Sequence, residues 1–131
     1  MIKFQELKVG DIVIAEYEGK RSEGAVIDID REDKEVCVET GVQDFWFTPD
    51  HLFSIPLDDA QLEKFGFEKK SNEDGTVKYM KDAFRILLSK PGDFTNFEMW
   101  YREDRRHIKS PISVHELQNH FSQMTKVDLT R

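Results

Sequence analysis

Residues 24–55 read GAVIDIDREDKEVCVETGVQDFWFTPDHLFSI, and this stretch decides the fold class. Residues 24–30 alternate, with Val26, Asp28 and Asp30 on one face and Ala25, Ile27 and Ile29 on the other. That period of two marks a half-buried strand. A polar turn, residues 31–34, leads into residues 35–40, where Val36 and Val38 oppose Cys37. Gly41 opens another turn, and residues 44–48 set Phe45 and Phe47 against Trp46. Thr48, Pro49, Asp50 and His51 suit one tight turn, because proline fixes its own φ and aspartate bonds nearby backbone. Residues 52–55 make a last short strand, closed by Pro56.

Toward the N-terminus, Leu7-Lys8-Val9-Gly10-Asp11 leads into residues 12–17, a run rich in branched side chains, and Gly19 and Lys20 signal a turn. Five short strands with a one-turn break before the last resemble the SH3-like barrel layout. The opening "LKVGDIV…EGAVIDID" is similar to the start of Tudor- and KOW-type members. The expected first unit is therefore a five-stranded SH3-like β-barrel over residues 1–57.

Residues 57–67 read as a helix. Asp58 suits the N-cap with Gln61 three residues on, Leu57 and Leu62 stand at staple positions, and Gly66 suits the position after the end. A β-meander follows: residues 67–70, an Asp74-Gly75 turn, then 77–81, 84–89, 94–101 and, after a polar turn at 103–106, 107–109. The last helix has Ser113 as N-cap, Glu116 as its capping-box partner, and an apolar stripe of Val114, Leu117, Phe121 and Met124. The fold class is thus α+β, the barrel packed on a helix–antiparallel meander–helix unit over residues 58–131.

The chain has 131 residues and a formal net charge of −7. Residues 1–57 carry 6 Lys+Arg and 13 Asp+Glu, and residues 58–131 carry 13 of each, so the whole imbalance lies in the first unit. A field of that sign repels nucleic-acid phosphate and favours basic partners. Ten Phe, three Tyr and two Trp are too many for a disordered acidic chain. A single cysteine excludes an internal disulfide and a Cys-based zinc site, and points to a reducing cytoplasm. No apolar run approaches the roughly 20 residues of a membrane helix, and the N-terminus lacks the apolar stretch of a signal peptide.

No residue set for catalysis stands out, so the chain reads as a non-enzymatic protein without cofactor or metal. His115 and His120 are five apart, which turns their rings about 140° from each other on one helix and prevents chelation. Cys37 between valines reads as a small buried hydrophobe. No P-loop, dinucleotide fingerprint or Gly-x-Ser-x-Gly elbow occurs.

Three groups remain as candidate partner-binding residues. Tyr17, Phe45 and Trp46 lie near Glu16, Glu18 and Asp44, a combination that suits cationic side chains; the same rings are also ordinary core material. Arg102, Arg105 and Arg106, with His107 and Lys109, form a basic run interrupted by Glu103 and Asp104: a nucleic-acid contact or a solvated hairpin tip. His115, Gln118 and Asn119 lie off the apolar stripe and either bind a partner or hydrogen-bond the meander.

The segment "ISVHELQNHF" at residues 112–121 is similar to the "VHELQN" ending of a family of uncharacterised proteins from Bacteroidetes and their phages or mobile elements. "LKVGD" and the joint "IPL…LEKFGF" resemble other parts of that family, while residues 122–126 depart from its usual ending. The resemblance implies the order barrel, helix, meander, helix, with His115, Gln118 and Asn119 on its motif, and no activity. The function expected is binding of a protein partner through the barrel; the alternative is a nucleic-acid-associated accessory role for the hairpin at 102–109.

Overall fold

The alternating runs become strands. The computed structural model, which describes residues 2–131, is α+β: two five-stranded antiparallel sheets and two α-helices. The first sheet contains β1 (Ile12–Tyr17), β2 (Lys20–Asp30), β3 (Glu35–Glu39), β4 (Asp44–Phe47) and β5 (Leu52–Phe53), ordered β4-β3-β2-β1-β5. A 3-10 turn, Pro49–His51, separates β4 from β5, and another, Phe4–Glu6, precedes β1. The sheet is not closed into a barrel: β4 and β5 are its two edges, only four and two residues long.

Two features of β2 depart from simple alternation. It starts at Lys20 rather than Gly24, because Glu18 (φ 51°) and Gly19 (φ 76°) form a two-residue hairpin turn that pairs Tyr17 with Lys20. A bulge between Val26 and Asp28 shifts its phase: Val26 is in the core, Ile27 is 41% exposed, and Ile29 turns back to pack on the core. Gly24 is required where β2 passes β3, since a Cβ there would stand 2.5 Å from the Glu39 carbonyl oxygen. The core under this sheet includes Leu7, Val13, Ala15, Val26, Val36, Val38, Phe47 and Leu52.

The second sheet contains β6 (Glu68–Ser71), β7 (Val77–Lys81), β8 (Phe84–Leu88), β9 (Phe97–Tyr101) and β10 (Asp104–Ile108), in sequential order. The last hairpin turns at Arg102 (φ 54°) and Glu103, so residues 104–106 are strand and not the polar turn their composition suggests. Helix α1 (Asp59–Lys64) is shorter than the expected 57–67. The Asp58 carboxylate accepts from Gln61 N at 2.9 Å, whereas the Gln61 side chain accepts from Arg131. Gly66 (φ 86°) ends the helix: its N–H bonds Glu63 O and that of Phe67 bonds Leu62 O.

Helix α2 (Val114–Thr125) begins with a complete capping box. Ser113 N and Oγ both donate to Glu116 Oε1, at 3.1 and 2.8 Å. Val114, Leu117, Phe121 and Met124 are all buried. The compact units are residues up to Ile55 with Ser113–Asn119 and Thr130, and Pro56–Ile112 with His120–Leu129 and Arg131. In the second unit, Phe121 packs on Phe84 with ring centroids 4.8 Å apart. Among the described residues no helix is long and apolar enough to cross a membrane.

Candidate partner-binding groove

Tyr17 ends β1, and Phe45 lies two strands beyond β2 on β4. Their rings stack at 4.6 Å, and Phe45 meets Phe47 edge-on at 6.4 Å. Phe47 is core; Phe45 is half-buried; Tyr17 remains 49% exposed. Trp46 points to the other face of β4 and is 48% exposed. These three rings, with Glu16, Glu18 and Glu35, line an open groove of about 550 Å³ that reaches Thr48 and His51. Tyr17 and Phe45 also line a smaller depression of about 150 Å³ beside Val42, which is 86% exposed. The stacked pair is thus a ridge between two hollows.

The groove is acidic. Glu16 is matched by Arg21 at 2.9 Å, whose guanidinium lies over the Phe53 ring at 3.9 Å. Glu18 and Glu35 form no ion pair among the described residues. The sequence points to Glu16, Glu18 and Asp44 as the acidic neighbours of these rings and not to Glu35. Its place follows from the β3–β4 pairing, which sets Val36 opposite Phe47 and so brings the start of β3 beside the end of β4.

The basic run is divided by its strand. Arg106 donates to Gln123 Oε1 at 2.9 Å and meets His120 Nδ1 at 2.8 Å, so its charge is held against α2. Arg105 projects from the opposite face, its guanidinium 4.5 Å from the Trp100 ring centre. Arg102 lies on the turn over Tyr101, and His107 bonds Asn96.

His115, Gln118 and Asn119 turn toward the N-terminal segment of the first unit. Gln118 is fully buried; its Oε1 accepts from Ile12 N and its Nε2 donates to Gly10 O, both at 2.8 Å. Asn119 donates to Glu6 O at 2.8 Å. His115, 1% exposed, has Nε2 3.1 Å from the Glu6 carboxylate and Nδ1 3.0 Å from Ser113 Oγ. Ser113, His115 and Glu6 thus stand in the succession hydroxyl, imidazole, carboxylate. The hydroxyl's single proton goes to Glu116 in the helix cap, and Ser113 and His115 are buried while the Glu6 carboxylate is exposed. Nearby, Asp11 is fully buried and bonds Lys8 N and Nζ at 3.0 and 2.7 Å. Burial raises its pKa above the usual carboxylate value, against the opposing pull of Lys8.

The Cys37 thiol is buried and pushed up, first by desolvation and then by Asp44, Asp28 and Glu39, which removes the thiolate character a nucleophile needs. No three His, Cys, Asp or Glu side chains among the described residues come together as a metal site. No family model, curated protein or solved structure matches this chain.

Proposed function

We propose that the first unit is an SH3-like interaction module that binds a cationic segment of a protein partner in the groove of Tyr17, Phe45 and Trp46, without catalysis. The strand order β4-β3-β2-β1-β5, with a 3-10 turn before the last strand, supports the SH3-like reading. One observation carries the binding reading: two rings about half exposed, Tyr17 and Trp46, share one groove with two unpaired carboxylates, Glu18 and Glu35. A core ring would be covered, and a merely solvated acidic face would not hold large rings in water. Aromatic faces attract cations by about 1–2 kcal/mol when partly desolvated, and the carboxylates steer the same charge inward. A cytoplasmic setting fits this reading.

The test uses labelled synthetic peptides of Lys/Arg-rich, neutral and Glu-rich composition, measured by fluorescence anisotropy. The Lys/Arg-rich peptide should bind preferentially, and Trp46→Ala or Tyr17→Ala should weaken it about tenfold, the equivalent of ~1.4 kcal/mol. Equal binding of all three peptides, or no change on Trp46→Ala in a folded protein, would refute it.

A further inference from the structure

The face of the second sheet turned away from its core is built differently from the acidic groove, and the strand register shows how. Arg85 on β8 pairs with Trp100 on β9, which pairs with Arg105 on β10, so Trp100 stands between two arginines in one row. On the same face, Lys70 on β6 pairs with Lys78 on β7. None of Lys70, Lys78, Arg85 and Arg105 forms an ion pair among the described residues. Arg85 donates only to backbone carbonyls, of Asp82 and Phe84, which leaves its charge uncompensated. Glu68 and Glu98 are the carboxylates sharing this face, so the cations are in excess.

From this arrangement we infer that the outer face of the second sheet binds single-stranded nucleic acid. Lys70 and Lys78 stand in one cross-strand row and Arg85 and Arg105 in the next, so the cations are spread over four strands of a sheet about 19 Å wide, five strands at ~4.8 Å spacing, and do not converge on a single pocket. An extended band of charge matches a polyanion with regularly spaced phosphates better than one isolated anion. The aromatic element selects nucleic acid over an acidic peptide. The Arg105 guanidinium lies on Trp100 and is exposed on its other side, a planar cationic surface on which a base stacks. Only single strands present such unpaired base faces. A hollow of about 270 Å³ lined by Leu87, Glu98 and His107 continues the row of Lys70 and Lys78, beside that of Trp100, and offers polar groups to a neighbouring nucleotide. Arg106, nearest in sequence, takes no part because it faces α2.

The experiment measures anisotropy of labelled oligo-dT and oligo-U of about 20 nucleotides, a duplex of equal length and an oligo-glutamate, beginning at ~50 mM salt. Wild type should prefer the single strands. Lys78→Glu with Arg105→Glu should weaken binding at least tenfold and reduce the slope of log K against log salt by about 1.4, two contacts at ~0.7 each. Arg105→Lys, which keeps the charge and loses the plane, should weaken binding while leaving that slope unchanged, and it serves if the double reversal does not fold. Trp46→Ala should have no effect, which separates this surface from the groove. Absence of single-strand binding by wild type, indifference to the double reversal or to Arg105→Lys, or equal affinity for duplex or oligo-glutamate would overturn the inference.

Discussion

Replacing Gln118 tests how much its buried amide contributes to building the first half of α2 into the first unit. That amide bonds two backbone groups either side of Asp11: it accepts from Ile12 N and donates to Gly10 O. Gln118→Met keeps the length and removes both bonds. A buried backbone group left without a partner costs about 1–3 kcal/mol, so two cost ~2–6, and the added apolar burial returns ~1–2. The two ranges combine to a loss centred on about 2–3 kcal/mol, or a fall in melting temperature of roughly 10 °C. Urea denaturation reads it as a lower midpoint at unchanged m-value, and hydrogen exchange should show faster opening at the Ile12 amide. Gln118→Glu is the control. Its neutral carboxyl both accepts and donates, so its proton is favoured in the fold; stability should approach wild type in acid and fall as pH rises from the ordinary glutamate range through the higher folded value. A Gln118→Met protein within ~0.5 kcal/mol of wild type, the range of ordinary surface changes, would refute the clamp.

Asp11 is held above its ordinary pKa by burial, so the proton is bound more tightly in the folded state. Its contribution is therefore most favourable at or below the ordinary carboxylate value of 3.8 and declines as pH rises through the raised folded value. Urea titrations of wild type and Asp11→Asn across pH 3–7 should show the stability difference moving toward the variant as pH rises, a trend whose absence would count against the burial account. Gly24→Ala places a methyl 2.5 Å from a backbone oxygen that cannot swing away, and should cost about 1–3 kcal/mol in thermal melts.

The elements most legible in the sequence are those whose signals are local. Ser113 with Glu116 and Gly66 each mark a helix end by chemistry within three or four residues, and both marks hold in the structure. The fourth strand also follows its pattern, with Phe47 buried and Trp46 outward. What alternation could not show is the bulge at Ile27, because an inserted residue leaves the composition of a strand unchanged while reversing every face after it. The basic run at 102–109 fails for a related reason. Consecutive strand residues point to opposite faces, so Arg105 and Arg106 are adjacent in sequence and separated by the sheet. Their real neighbours, Arg85 through Trp100 and Gln123, are 17 to 20 residues away. The partner of Gln118 is 106 residues distant, beyond any local signal.

That distance changes how the two end motifs are understood. "LKVGDI" and "VHELQN" are the segments most conspicuous to the eye, and polar residues in such segments invite a ligand. Each polar side chain of the second instead has an internal task. Glu116 completes the cap, His115 spans Ser113 and Glu6, Gln118 holds Gly10 and Ile12, and Asn119 holds Glu6. Asp11 of the first binds Lys8 and closes its own turn. A chain segment that must bend at Gly10 before entering β1 leaves amide and carbonyl groups that β-pairing cannot satisfy, and buried polar groups need partners. A helix arriving from the far end of the chain supplies them, and only a side chain with both a donor and an acceptor, such as glutamine, satisfies Gly10 and Ile12 together. The motif is thus accounted for by folding. The aromatic groove and the outer sheet face, where Trp46, Tyr17 and Arg105 stand exposed, are where binding is to be sought.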